Sequence, residues 1–200
     1  MPRIYAIPQN APNAFATGRS PRHAAVAVTH GLLEICTDEE VEGVLAHELG
    51  HVKNRDILIS AVVATVAGAI TMVARMAYYA ELFGFGGGRS DDRRGGALSA
   101  LAMMIVAPLA AMLIQLAISR SREYQADATA ADITGNPQGL ARALEKIEKY
   151  AKRIPMNVSP SMSHMFICQP LTAGEMFTSL FSTHPPIRKR IERLIGRDFV

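Results

Sequence analysis

The sequence predicts an α+β fold that is mainly helical, with a small β-sheet near its N-terminus. Residues 3–29 contain short runs in which apolar and polar residues alternate, separated by turn residues, and this pattern is typical of short strands. Amphipathic patterns with helix start and stop signals follow them. Two long uncharged segments interrupt these helices, so the 200 residues are expected to form one core plus a membrane element.

The predicted strands are residues 3–7, 13–17 and 24–29, and the last of these has the strongest β pattern. Thr37 then begins a helix, because Glu40 three residues later completes a capping-box pattern and the first turn is acidic. One face of this helix is apolar, which predicts burial of Val41, Val44, Leu45 and Leu49.

Residues 57–74 and 97–118 contain no charged side chain, and each reaches the roughly 18 residues that a membrane-spanning helix requires. The polar, glycine-rich segment 81–96 predicts a linker between them. We therefore expect a transmembrane helical hairpin over residues 57–118. A helical pair buried in a soluble core is the alternative, which Pro108, Gln115 and the many alanines of these segments leave open.

The C-terminal part returns to amphipathic patterns. Residues 119–134 and 138–152 predict two helices, and the proline-containing segment 155–183 predicts loops. A last helix is expected after the proline pair at positions 185–186. The basic run 188–190 is expected on the solvated face of that helix.

Charge and cysteine content exclude several classes. The net charge of +3 is small and scattered, which argues against a nucleic-acid-binding protein. Cys36 and Cys168 lie far apart without redox or metal-ligand spacing, so no disulfide framework is expected. The first residues lack the apolar core of a secretory signal peptide.

The segment 47–51, His-Glu-Leu-Gly-His, carries the main chemical signal. Residues four apart share one face of a helix, so the imidazoles of His47 and His51 can bind one Zn²⁺. Glu48 projects beside them and can act as a general base. A catalytic zinc site needs a third protein ligand and keeps its fourth position open.

The third ligand is either a later histidine or a carboxylate from another helix. Glu123 is the better candidate, because it lies on a predicted helix with Asp127 four residues further along the same face. Asp127 can accept the free N–H of a ligand histidine and fix its tautomer. We therefore predict one zinc ion per chain, held by His47, His51 and Glu123.

Three stretches, residues 47–51, 119–127 and 182–191, together resemble the HtpX-type membrane zinc endopeptidases. These enzymes are relatives of the type 1 CAAX prenyl protease. The resemblance implies a gluzincin-like zinc peptidase that acts on unfolded or membrane-protein polypeptides in stress-related quality control. It implies a multi-pass protein of the cell (inner) membrane, in contact with the lipid bilayer, whose active site faces the cytoplasm. It also makes His184 a candidate catalytic residue that stabilises the oxyanion of the intermediate.

The family carries further transmembrane segments upstream of the matching region, so this chain is expected to lack them. Residues 1–56 are then the N-terminal half of a peptidase domain, with the sheet and the zinc helix. Residues 57–118 are the inserted hairpin, and residues 119–200 complete the zinc site. The alternative function is a non-catalytic zinc-binding membrane scaffold or chaperone. Glu48 discriminates between the two, because a scaffold has no use for a carboxylate beside its first metal ligand.

Overall fold

The computed structural model of the chain describes residues 2–83, 92–153 and 184–196, so Cys168 and the loops predicted over residues 155–183 lie outside the described residues. In chain order the elements are β1 (Arg3–Ile7), β2 (Ala14–Gly18), β3 (Ala24–Thr29), α1 (His30–Ile35), α2 (Asp38–Lys53), α3 (Asp56–Leu82), α4 (Asp92–Thr134), α5 (Pro137–Arg153) and α6 (Ile187–Ile195). The predicted mainly helical α+β fold with a small sheet is confirmed.

The sheet has the order β1-β3-β2, with β1 parallel and β2 antiparallel to the central strand. Thr29 donates its backbone N–H to the carbonyl of Asn13 at 2.9 Å, so the backbone groups of Asn13 face β3. Successive residues of a strand point these groups to opposite sides. The N–H and C=O groups of Ala14, Ala16 and Gly18 therefore point away from β3, along the edge that carries no further strand among the described residues.

Helix α2 packs between the sheet and α5 and forms the centre of the core. Its N-terminus has the predicted capping box, in which the backbone N–H of Thr37 donates to Glu40 at 2.8 Å. A side chain at Gly43 would bring a Cβ within 2.6 Å of the backbone nitrogen of Leu140, so glycine permits the close contact of α2 with α5. The buried core around this contact contains Ala14, Val28, Leu32, Val44, Leu140, Leu144 and Ile147, and Ile187, Ile191 and Leu194 of α6 pack against it.

The chain divides into two units, one formed by Met1–Leu58 with Ser119–Val200 and the other by Ile59–Ile118. The second unit consists of the apolar parts of α3 and α4. Both helices are long and apolar enough to cross a membrane, and only 11% of the most apolar window of each is buried within the described structure. A helical pair in a soluble core would be mostly covered, so this exposure favours the membrane interpretation.

Helix α4 begins at Asp92, inside the segment 81–96 that was predicted to be a linker. The glycine pair at positions 95–96 has a low helix propensity, so the composition of this segment favoured a linker.

Candidate active site

Helix α2 supplies two imidazoles to one buried point. The Nε2 atoms of His47 and His51 lie 3.1 Å apart. The carboxylate of Glu123, on α4, faces both, with distances of 3.7 Å to His47 Nε2 and 3.6 Å to His51 Nε2. Two atoms bound at about 2.0–2.1 Å to a tetrahedral Zn²⁺ lie about 3.3 Å apart, so these three donors fit one zinc ion.

A close contact between helices brings Glu123 to this point. At Gly50 of α2, a Cβ would lie 3.1 Å from the backbone oxygen of Ala126 on α4. The absence of a side chain at Gly50 lets the two helix backbones approach closely. Glu123 lies nearly one turn before Ala126, so its carboxylate reaches the histidines of α2.

The two histidines are oriented by different carboxylates. His47 Nδ1 lies 2.9 Å from Asp127 Oδ1, and His51 Nδ1 lies 2.5 Å from Asp56 Oδ2. With each Nδ1–H donated to a carboxylate, each Nε2 keeps its lone pair for a metal. The structure therefore places Asp127 where the sequence analysis expected a supporting acid, and it adds a second acid that the sequence analysis did not consider.

Arg190 lies behind the His47 side of the site. It donates to Asp127 through Nε at 2.9 Å and through a terminal nitrogen at 2.6 Å, and another terminal nitrogen lies 3.4 Å from Glu123. Its side chain is 1% exposed, so the expectation of a solvated face for the run 188–190 is wrong for this residue. Burial of a charged guanidinium costs free energy because it loses its water. The attraction of two buried carboxylates, Asp127 and Glu123, compensates for this cost.

Glu48 is 6% exposed and lies beside His47 and His51 without taking part in the three-donor group. Its Oε2 accepts a hydrogen bond from the backbone N–H of Ala16 at 2.9 Å. This contact joins the candidate base to the open edge of β2.

His184 lies on the other side of Glu123, with its Nδ1 3.1 Å from Glu123 Oε2. The structure thus gathers His47, His51, Glu123, Asp127, Glu48 and His184 in one region of the first unit.

The charges of the site favour ionised carboxylates. Burial raises the pKa of Glu123, but a hydrogen bond from His184 and the positive charges around it lower that pKa well below its ordinary value. Burial also raises the pKa of Asp127, and hydrogen bonds from His47 and Arg190 reverse the shift to a lowered pKa. Burial lowers the pKa of His51, but its hydrogen bond to Asp56 leads to a net rise. An ionised Glu123 is the form that a metal ligand needs.

The profile of Peptidase family M48 matches residues 2–198 of the chain. The chain belongs to peptidase family M48. Members of this family are zinc metalloproteases, and the His47, His51 and Glu123 group fits the metal that the family uses. The predicted resemblance and the predicted zinc cofactor are therefore confirmed.

Two relatives are similar to the chain over nearly its whole length. Both are described as "Protease HtpX homolog". The protein from Desulfatibacillum aliphaticivorans is 58% identical over 196 residues, covering 98% of this chain and 63% of the relative. The protein from Desulforapulum autotrophicum is 59% identical over 196 residues, covering 97% of this chain and 62% of the relative. The chain thus spans less than two thirds of the length of these relatives.

A solved structure is similar in fold. The crystal structure of S. mikatae Ste24p matches with a TM-score of 0.65 at 24% identity, covering 98% of this chain and 47% of that chain.

Asp56 and Arg190 were not predicted from the sequence. Asp56 stands directly before the uncharged segment 57–74, five residues after His51, and an acid at that position was a usable signal for a histidine partner. The signal for Arg190 was weaker, because a basic run on a short helix is typical of a solvated face.

Proposed function

We propose that this chain carries the catalytic unit of a membrane zinc endopeptidase, with His47, His51 and Glu123 as metal ligands and Glu48 as general base. The observation that carries the proposal is the position of Glu48. A buried carboxylate that lies beside the ligands, without being one of them, has the placement that a proton acceptor needs.

When bound, zinc supplies Lewis acidity, which makes water more acidic and a peptide carbonyl more electrophilic. Glu48 takes the proton of the attacking water and passes it to the nitrogen of the leaving amine. His184 donates a hydrogen bond to the oxyanion that develops on the former carbonyl. Asp127 and Asp56 keep the two ligand histidines in the tautomer that leaves Nε2 free.

The substrate lies extended along β2 and adds a strand to the sheet. The outward backbone groups of Ala14 and Gly18 support this, since they are arranged to pair with another chain, while the N–H of Ala16 between them is bonded to Glu48. Backbone pairing selects for extended segments, which unfolded polypeptides offer. By the resemblance to HtpX-type peptidases, the substrates are misfolded or membrane proteins and the role is stress-related quality control.

The membrane arrangement is part of the same proposal. Residues 57–118 form a hairpin across the cell membrane, and residues 1–56 and 119–200 join as one peptidase domain on the cytoplasmic side. With both native cysteines replaced, Ser90→Cys should react with a membrane-impermeant maleimide on intact cells, whereas Lys149→Cys should react only after lysis. Equal protection of the two positions would mean that the hairpin does not cross.

Cleavage of casein by zinc-loaded protein in detergent tests the catalytic proposal. Glu48→Gln should retain zinc and lose activity by at least about 10²-fold, because an amide cannot accept the proton. Glu123→Ala should lose zinc and activity together. Glu42→Gln, an exposed position on the same helix, is the matched control and should behave as wild type.

The alternative function, a non-catalytic zinc scaffold, makes the opposite prediction for Glu48. Near wild-type cleavage by Glu48→Gln at equal metal content would refute the mechanism. Absence of cleavage by wild-type protein that holds one zinc ion per chain would favour the scaffold. Full zinc retention in Glu123→Ala would place the third ligand elsewhere, with His184 as the first residue to examine.

A further inference from the structure

A cavity of about 340 Å³ opens beside the metal site, at the Gly18 end of β2. Its wall includes the ligand His51, the supporting acid Asp56 and the first apolar residues of α3, Ile57 and Leu58. The cavity therefore lies next to the position of the scissile bond in the proposed function, on which this inference rests.

Three arginines line the cavity: Arg19, Arg22 and Arg55. All three are exposed, and within the described ranges none of them has an ion-pair partner. Asp56 is the acidic residue among the lining residues, and its carboxylate accepts the hydrogen bond from His51. The cavity thus combines an apolar wall with an excess of positive charge.

The backbone of Arg55 is unusual. Its φ is +56°, in the left-handed region that glycine and asparagine prefer. An L side chain there is disfavoured by roughly 1–2 kcal/mol, so the local fold by itself would be better served by glycine. The turn between α2 and α3 therefore does not account for an arginine at this position.

The register along β2 connects the cavity to the substrate. The N–H of Ala16 contacts Glu48, and Gly18 lies two residues further along the same edge, about 7 Å away at the usual strand rise. A peptide paired with β2 therefore presents a side chain to the cavity within one or two residues of the bond that is cut.

We propose that this cavity is a substrate subsite that accepts acidic side chains, aspartate or glutamate, close to the scissile bond and disfavours lysine and arginine. The positive charges of Arg19, Arg22 and Arg55 attract a carboxylate, and the apolar wall covers its methylene stem. A lipid headgroup is a second anionic ligand, but the contact with the ligand His51 and the end of β2 favours the peptide.

The test compares quenched fluorescent peptides of one sequence that carry Glu, Gln or Lys at single positions on either side of the cleaved bond. Wild-type zinc-loaded protein should cleave the Glu peptide at least about tenfold better than the Lys peptide at one position, as a change in kcat/KM. Arg55→Glu should reduce or invert this ratio. Lys149→Glu, an exposed residue of α5 with the same charge change, should leave the ratio unchanged.

Arg55→Gly is the control for a loss of preference that is caused by misfolding. It removes the charge and relieves the backbone, so it should reduce the preference while its Tm stays equal to or above that of wild type. A lower Tm with an unchanged Glu-to-Lys ratio would assign Arg55 a structural role and overturn the subsite.

Three further outcomes are distinguishable. Equal cleavage of the Glu and Lys peptides, with activity that still depends on zinc and Glu48, overturns the subsite and leaves the proposed function intact. If no peptide is cleaved, anisotropy of the labelled peptides on the zinc-loaded protein measures the same preference without turnover. Weaker binding of Arg55→Glu to phosphatidylglycerol vesicles, with an unchanged peptide preference, assigns the cavity to lipid and also overturns the proposal.

Discussion

The two histidines of the proposed metal site lie one helical turn apart and have the same chemistry, but the protein holds them in different ways. The side chain of His47 is 3% exposed, and its partner Asp127 comes from α4 and is held by Arg190 of α6. The side chain of His51 is 20% exposed, and its partner Asp56 comes from the very next helix and borders the cavity. We call these the closed side and the open side of the site.

This difference separates two requirements of the site. The closed side brings together α2, α4 and α6, which are distant in the sequence. On the open side, His51 is paired with an acid five residues further along the chain, next to the cavity. Removal of residues on the two sides should therefore have different consequences.

The largest expected effect is on the closed side. Arg190→Ala leaves Asp127 and Glu123 buried without their guanidinium, and breaking a buried ion pair in this way lowers stability by about 3–5 kcal/mol. The Tm of zinc-free protein, followed by circular dichroism, should therefore fall by roughly 6–20 °C.

Arg188→Ala is the matched control for Arg190→Ala. Arg188 lies two residues earlier on α6 with its side chain 90% exposed, so its removal should change stability by less than about 0.5 kcal/mol. If the two variants unfold at the same temperature, Arg190 does not stabilise the closed side of the site.

An effect of intermediate size is expected on zinc affinity when either of the two supporting acids, Asp127 or Asp56, is removed. Asp127→Ala and Asp56→Ala should each weaken zinc binding by roughly 10–100-fold, because each leaves a ligand histidine without its tautomer-fixing partner. Only Asp127→Ala should also lower the Tm of zinc-free protein markedly, since it leaves Arg190 buried without its bidentate partner.

Chelator competition measures the zinc affinities of these variants, and Asp132→Ala, an exposed position on α4, serves as the control. Equal losses of zinc-free stability in the Asp127 and Asp56 variants would contradict the distinction between the two sides.

Each side contains one residue that was not predicted from the sequence, Arg190 on the closed side and Asp56 on the open side. Helical periodicity and capping are local, so the zinc helix, its base and the pairing of Glu123 with Asp127 follow from residues near one another. Whether a charged side chain is buried depends on which distant helix covers it. Arg190 and Arg188 are indistinguishable in a basic run, and only the packing of α6 separates them.

The limits of local reasoning also appear at the strand edge and in the linker. The sequence predicted three strands but not the order β1-β3-β2, which makes β2 the edge that contacts Glu48. Strand order depends on contacts between segments and not on the pattern within one. The start of α4 at Asp92 is a second case, since the helix begins within a segment whose glycine-rich composition predicted a linker.

The smallest expected effect on stability comes from Glu40, a buried carboxylate that lies outside the metal site. Glu40 accepts hydrogen bonds from the Thr37 backbone and from Lys146. Burial raises its pKa, but the hydrogen bonds and charges of these partners hold the pKa below its ordinary value.

Because the folded pKa of Glu40 is lowered, the stabilisation is complete at neutral pH and is lost as the pH falls through the folded value. Glu40→Gln should lower the Tm of zinc-free protein at pH 7 by a few degrees, for a loss of about 1 kcal/mol. The difference from wild type should shrink below about pH 4. The exposed Glu39→Gln is the control, and a Glu40 effect that grows on acidification would contradict the assigned sign.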